Sequence, residues 1–250
     1  MRLDKYLADM GYGTRKEVKE LIKKGLVEVD GVKCKKADMH LSDDNEVRVD
    51  GEVVEYVEYE YYLLNKPGDY ITATEDNNHA VVMDLIVSRR KDLVPVGRLD
   101  KDTEGALLIT NDGVLGHHLI SPKYHVKKKY YVEVDADLPK DAKEIFAKPM
   151  EFSDFTADPA EYEAISERSA YLIIGEGKYH QVKRMFAKIG CNVTYLRRDE
   201  FAFLNLDGLE LGEYRELTDE EVDELYRLAH LLDWFALSKY ILNIFYLYKF

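Results

Sequence analysis

Cysteine is nearly absent from this chain: Cys34 and Cys191 are the only two in 250 residues, far apart in sequence. A disulfide framework is therefore not expected, and a reducing, cytoplasmic setting is. Neither thiol has a second cysteine or a histidine at metal-ligand spacing, so both read as inert. His117 and His118 are adjacent instead of four apart, with no third ligand near, and no metal site is expected. There is no Walker loop, no Gly-x-Gly-x-x-Gly fingerprint and no recognisable Ser–His–Asp set, so nothing calls for a nucleotide cofactor or a hydrolytic triad. Long hydrophobic runs are missing too. Met1-Arg2-Leu3-Asp4-Lys5 leads into no apolar stretch and does not read as a secretory signal. Residues 231–250 are rich in Leu, Ile, Phe and Tyr but broken by Asp233, Lys239 and Asn243. A bilayer span needs about 20 largely uncharged residues. This tail is expected to be a helix packed on the body or on a partner, its role open, with no membrane partner.

Positive charge is scarce overall, at a net of −13, yet it is concentrated. Residues 1–36 carry ten Lys/Arg against six Asp/Glu, and residues 175–198 carry six against Glu176 alone. Lys123, Lys127, Lys128 and Lys129 form a third cluster. Eleven acids against Arg215 and Arg227 in residues 199–227 set the global sign. Basic faces of this kind suit a phosphate backbone whatever the total charge, although solvated helix faces would give the same counts.

What is present sorts into two parts. Thr14-Arg15-Lys16-Glu17 has the form of a capping box; Val18, Leu21 and Ile22 follow at helical spacing, and Gly25 ends the helix. Asp30-Gly31 and Asp50-Gly51 each separate two short β-prone runs, which predicts two tight hairpins. Residues 1–58 thus read as two short helices and small hairpins, with Val57-Glu58-Tyr59-Glu60 as linker. Beyond it, Tyr61–Asn65, Leu93–Val96, Leu107–Thr110, Tyr130–Val134 and Ala170–Ile174 read as strands. Asp141–Ala147 and His180–Ile189 read as helices, and Thr218 caps another. Strands outnumber helices without a βαβ repeat, so the fold class is α+β with a mixed or antiparallel sheet.

The first part resembles the S4 RNA-binding domain, through Arg2-Leu3-Asp4-Lys5-Tyr6-Leu7, Thr14-Arg15-Lys16-Glu17-Val18, Leu21-Ile22, Gly25 and Val27-Glu28-Val29-Asp30-Gly31. The resemblance implies RNA backbone contacts from Arg2, Lys5, Arg15, Lys16 and Lys19, which position without specifying sequence.

The densest motif is Gly97-Arg98-Leu99-Asp100-Lys101-Asp102-Thr103-Glu104-Gly105. From residue types alone it is a polar turn between apolar strands, with Asp100 between two cations that favour its charged form. The same stretch closely resembles the Gly-Arg-Leu-Asp-x-x-Thr-x-Gly motif of pseudouridine synthases. Asn65-Lys66-Pro67-Gly68 and Glu176-Gly177-Lys178-Tyr179-His180-Gln181-Val182-Lys183-Arg184-Met185-Phe186 follow the family's other motifs, and Tyr-His-Gln-Val-Lys-Arg-Met is typical of its RsuA branch. Ser121-Pro122-Lys123-Tyr124-His125, Lys128-x-Tyr130 and Gly212-Glu213-Tyr214-Arg215 agree as well. The resemblance runs to about residue 230; one departure is Ala202, where a glycine is expected.

The resemblance implies a pseudouridine synthase catalytic domain over residues 60–230. Its reaction breaks the bond from the ribose anomeric carbon to N1 of uracil, turns the base and bonds C5 to the same carbon. As an isomerisation it requires no cofactor and no metal. Asp100 would act on the anomeric carbon as nucleophile, as stabiliser of positive charge, or by starting loss of the ribose C2 proton; glycosidases use carboxylates on similar states. Lys183 would pair with and aim Asp100, with Arg184 the second choice. Tyr130 would stack on the base and assist proton movement at C5. Arg98 would fill the gap left by the flipped nucleotide, and Lys128 would join the RNA contacts. The expected substrate is one uridine of small-subunit ribosomal RNA in a partly assembled particle. The alternatives are a large-subunit enzyme or a non-catalytic RNA-binding assembly factor; a nucleoside hydrolase is disfavoured by the S4-like part.

Overall fold

The computed structural model describes residues 1–231, so the apolar tail, apart from Leu231, lies outside the described residues. The chain forms two compact units. The first comprises Met1–Glu60 together with Val87–Leu93, and the second comprises Tyr61–Ile86 and the described residues from Val94 onward.

In the first unit, α1 (Leu3–Asp9) and α2 (Arg15–Lys23) precede β1 (Val27–Val29), β2 (Val32–Lys33), β3 (Val47–Val49) and β4 (Glu52–Val53). The capping box forms as its residue types require: the Thr14 side chain accepts from the Glu17 amide while the Glu17 carboxylate accepts from the Thr14 amide. Both Asp-Gly pairs sit at positive φ, 52° and 74° at Asp30-Gly31 and 52° and 86° at Asp50-Gly51, the conformation of a two-residue hairpin turn. The strands order β2-β1-β3-β4, and Leu3, Leu7, Val18, Ile22, Val27 and Val47 form one apolar core between sheet and helices.

A linear division at residues 58 and 60 misses the return of Val87–Leu93. The buried Arg90 guanidinium donates to the Val57 carbonyl at 2.7 Å and grips Asp92, and Ser88 donates to Glu60 at 2.6 Å. Sequence patterning could not show this, because a short polar segment carries no periodicity.

The second unit is built on one nine-stranded sheet. Its elements are β5 (Tyr61–Lys66), β6 (Val94–Pro95), β7 (Glu104–Thr110), α3 (Gly113–Ile120), β8 (Lys128–Val134), α4 (Ala142–Phe146), β9 (Met150–Glu151), β10 (Thr156–Ala157), β11 (Glu161–Ser166), β12 (Ser169–Ile174), α5 (Gln181–Lys188), β13 (Val193–Phe201), β14 (Leu204–Asn205), β15 (Tyr214–Glu216) and α6 (Asp219–Leu228). The sheet runs β11-β12-β8-β13-β7-β5-β15, with β14 on β13, β6 on β7, and β9–β10 a separate ribbon. Every pairing is antiparallel except β7 with β13, so the expected α+β class with a mixed sheet is observed.

The helix α3 escaped the periodic reading, as two glycines and two histidines dilute its pattern. Its signal is Asp112, whose side chain caps the Leu115 amide at 3.0 Å, followed by buried Leu115 and Leu119 four residues apart. Leu115 and Leu119 join Leu63, Leu108, Phe201 and Leu225 in one core cluster. Strand β13 also went unread: Thr194, Arg197, Arg198, Asp199 and Glu200 mask a central strand, and only pairing with β7 and β8 makes it one.

Candidate active site

The Gly97–Gly105 loop reaches its shape through buried ties from elsewhere in the chain. Lys66, at the end of β5, is fully buried, and its ammonium donates to the carbonyls of Thr103 (2.8 Å), Pro67 (3.0 Å) and Lys101 (3.3 Å). Burial pulls its pKa down to about 8, partly opposed by the nearby acids Glu104, Asp102 and Asp100. Thr72 holds the other arm: its hydroxyl donates to the Leu99 carbonyl at 2.7 Å and accepts from the Leu99 amide at 3.1 Å. Asp100 thus stands between two fixed points. Thr72 has no sequence signal, as it sits in an irregular stretch between motifs.

Gly105 ends the loop on β7, in parallel register with Arg198 of β13. Its φ is +105°, and a Cβ there would lie 2.2 Å from the Arg198 carbonyl oxygen. Only glycine lets the two backbones meet so closely. The Arg198 guanidinium, also buried, donates from Nε to the Ala106 carbonyl at 2.6 Å.

Helix α5 brings the cations. The Lys183 ammonium lies 3.0 Å from Asp100 Oδ2 and 2.6 Å from Asp102 Oδ1. Burial alone would lower the Lys183 pKa, but the hydrogen bonds to Asp102 and Asp100 outweigh it and raise it. Burial likewise works to raise Asp102, and the bond and charge of Lys183 overcome this and lower it. His180 Nε2 lies 3.3 Å from Asp100 Oδ1. The turn before α5 is pinned by Gln181, which accepts from the Lys178 amide at 2.9 Å and donates to buried Glu176 at 2.7 Å. Tyr130 on β8, almost fully buried, borders the same cleft with Arg98, Leu99, Thr103, Val182 and Leu196.

Asp100, Lys183, Tyr130 and Arg98 therefore share one cleft. Two expected residues do not. Arg184 pairs bidentately with Asp154 and packs against Phe152 and Phe155, so Lys183 alone of the two faces Asp100. Lys128 was expected on the RNA-facing surface, but its side chain is buried. Its ammonium donates to the Val126 carbonyl at 2.7 Å, and burial first, then the charge of Arg198, lowers its pKa to about 8. Along β8 the alternation turns Tyr130 into the cleft, and a flat cluster of lysines in sequence splits between environments. In the first unit Arg2 and Lys5 are engaged by Asp4 and Asp9, while Arg15, Lys16 and Lys19 are exposed. His180 and Lys66 were read as motif positions without a role; their contacts supply one.

A larger cavity of about 530 Å³ is lined by Glu104, Lys129, Tyr171, Tyr195 and Arg197. It is bounded by the strand positions alternate to Tyr130 and Leu196, so it opens on the opposite face of the sheet from Asp100. Among the described residues no group of His, Cys, Asp or Glu could hold a metal ion, and no helix is long and apolar enough to cross a membrane. Cys34 and Cys191 are free and buried.

A carboxylate loop braced from beneath by a buried ammonium, ion-paired to a helix-borne lysine and bordered by a tyrosine on a mixed sheet, fits carboxylate-based catalysis. Comparison with known proteins makes the class specific. The RNA pseudouridylate synthase family matches residues 60–188, and the S4 domain matches residues 1–47. An uncharacterised RNA pseudouridine synthase of Bacillus subtilis, YtzG, is 45% identical over 231 residues, covering 89% of this chain and 97% of that protein. The ribosomal small subunit pseudouridine synthase A of Vibrio cholerae is 40% identical, covering 91% of this chain and all of that protein. The ribosomal large subunit pseudouridine synthase B of Bacillus subtilis is 37% identical, covering 91% and 96%. A crystal structure of a pseudouridylate synthase superposes with a TM-score of 0.64 at 31% identity, covering 90% of this chain and 99% of that one. The chain belongs to the RNA pseudouridine synthase family, in the S4-bearing group.

Proposed function

We propose that this protein isomerises one uridine of small-subunit ribosomal RNA to pseudouridine, with Asp100 as the carboxylate at the anomeric carbon. The observation that carries the reading is the Asp100–Lys183 ion pair at 3.0 Å inside a cleft bordered by Tyr130. Lys183 aims the carboxylate, and Tyr130 lies flat against the base as it turns. Arg98, exposed on the rim, replaces the extruded nucleotide in the stack. The bond from the anomeric carbon to N1 breaks, the bond to C5 forms, the C5 proton leaves, and N1 takes up a proton from solvent in its place. All atoms are conserved, so the residues of the cleft suffice without a cofactor.

The small-subunit choice rests on the Tyr179–Met185 motif and on the similarity to enzymes named for that subunit. The large-subunit relative keeps the other ribosomal RNA as a second reading. Substrate in a partly assembled particle, a cytoplasmic location, and docking by residues 1–58 through Arg15, Lys16 and Lys19 belong to the same proposal. The test is pseudouridine mapping of both ribosomal RNAs in cells with and without the gene, and with Asp100→Asn. Asn keeps the shape and removes the charge, so product should disappear while RNA binding remains. Product formed at the wild-type rate by Asp100→Asn would remove the mechanism; a lost pseudouridine in large-subunit RNA would move the substrate and keep the chemistry.

A further inference from the structure

Asp100 is held at both oxygens. Lys183 takes Oδ2 at 3.0 Å and His180 faces Oδ1 at 3.3 Å. The carboxylate torsion of an aspartate is broad and roughly two-fold, so one contact leaves the plane free to turn and two contacts fix it. Both partners come from the start of α5, three residues apart, so the helix terminus sets the aim of the carboxylate.

The backbone is shaped for this. His180 sits at φ 48° and ψ 32°, in the left-handed region. A side chain there is strained and persists where the surroundings require it. The usual return for a residue at this position is an N-cap bond, and the His180 side chain makes none. Its imidazole is turned to Asp100 instead. On its other side the ring is covered by Tyr179, with centroids 3.9 Å apart and planes within 18°.

Tyr179 is 73% exposed, the most exposed of the large aromatic side chains among the described residues. One ring face is taken by His180; the rest meets solvent, with exposed Lys178, which borders the cleft, its neighbour in the chain and the Arg184 guanidinium at its backbone carbonyl. An open aromatic face next to an exposed lysine is the chemistry that holds an unpaired nucleotide.

We propose that Tyr179 and His180 act as one stacked unit: a base flanking the extruded uridine stacks on Tyr179, and His180, covered by that ring, fixes the plane of Asp100. Tyr179 is then an RNA-binding and specificity residue, and His180 a positioning residue. This rests on Asp100 being the carboxylate at the anomeric carbon. Binding of the correct RNA would thereby bear on the aim of the carboxylate through two rings in contact.

Two measurements test it. The first needs no turnover: a single-stranded 12-nucleotide RNA carrying 2-aminopurine is titrated with the full-length protein. Wild type should quench the fluorescence by stacking, Tyr179→Ala should bind about tenfold more weakly with little quenching, and Tyr179→Phe should recover both. The second follows single-turnover pseudouridine formation in transcripts of the source organism's small- and large-subunit ribosomal RNA. His180→Ala should lower the saturating rate about tenfold or more with half-saturation little changed, and His180→Gln, which keeps a nitrogen donor, should recover part of it. Tyr179→Ala should act mainly on half-saturation. Quenching unchanged in Tyr179→Ala, or a Tyr179→Phe variant as weak as Ala, would overturn the stacking role. A saturating rate unchanged in His180→Ala would overturn the positioning role. Wild type inactive on both transcripts would count against the substrate reading, while the quenching measurement would still decide the role of Tyr179.

Discussion

Replacing Gly105 by alanine should both destabilise the second unit and disable the catalytic loop, and the two parts can be separated. The added methyl meets two costs. The first is backbone: φ of +105° lies outside what an L side chain tolerates, worth about 1–3 kcal/mol. The second is overlap: the new Cβ would fall 2.2 Å from the Arg198 carbonyl oxygen and 2.8 Å from its backbone nitrogen and carbon. Backbone of a central strand cannot swing aside like the tip of a lysine, so β7 and β13 must part, at about 1–3 kcal/mol more. Gly190 is the internal control, with φ of +85° and nothing within 4 Å of its added Cβ. Gly190→Ala should cost only the backbone part, about 1–2 kcal/mol. Urea unfolding of the full chain followed by far-ultraviolet circular dichroism compares the two, as both lie in the second unit. Gly105→Ala should be the worse by about 2 kcal/mol or more. Its residual folded protein should also lose activity by about a hundredfold, because a shift of about 1 Å in the Asp100 loop is enough for that. Equal destabilisation by the two variants, or full activity in Gly105→Ala, would refute the reasoning.

Ala202→Gly should stabilise the protein by about 0.5–1 kcal/mol, read as a higher urea midpoint, because Ala202 sits at φ +57° where glycine carries no Cβ penalty; an unchanged or lower midpoint would contradict this. Lys128 has a folded pKa of about 8, below its ordinary 10.5, so between those values the unfolded chain holds more protons and stability from this group rises with pH. The stability advantage of wild type over Lys128→Met should therefore grow from pH 8 to 10, by up to about 1.4 kcal/mol per pH unit, and stay flat below pH 7. Neutralising Arg15 and Lys16 together should raise half-saturation for ribosomal RNA and make the log–log salt dependence of binding shallower by roughly 1.4–1.8, at about 0.7–0.9 per phosphate contact; an unchanged slope would remove both from the RNA contacts.

Local chemistry was enough for much of this molecule. The capping box at Thr14, the Asp-Gly hairpins, the cap at Thr218 and the apolar strand cores of β5, β7, β8 and β12 are determined by neighbours a few residues away, and all formed as read. The motif residues that share the cleft, Asp100, Lys183, Tyr130 and Arg98, could be named from resemblance because each sits in a short fixed pattern. The glycine expected at 202 also has its reason in a left-handed backbone. What stayed hidden depends on partners distant in sequence. Lys66 and Lys128 are both lysines next to other polar residues, yet both are buried, one beneath a loop nearly forty residues away and the other beside Phe201. Resemblance already ranked Lys183 before Arg184 as the partner of Asp100, but the reason is tertiary: successive helix residues point about 100° apart, and the hairpin bearing Asp154 captures the one that turns away. The contact of His180 with Asp100, the tie from Thr72 and the return of Val87–Leu93 to the first unit have no periodic signature at all. They are set by which surfaces the sheet order brings together, and that order is decided only when strands far apart in sequence pair and bury their shared faces.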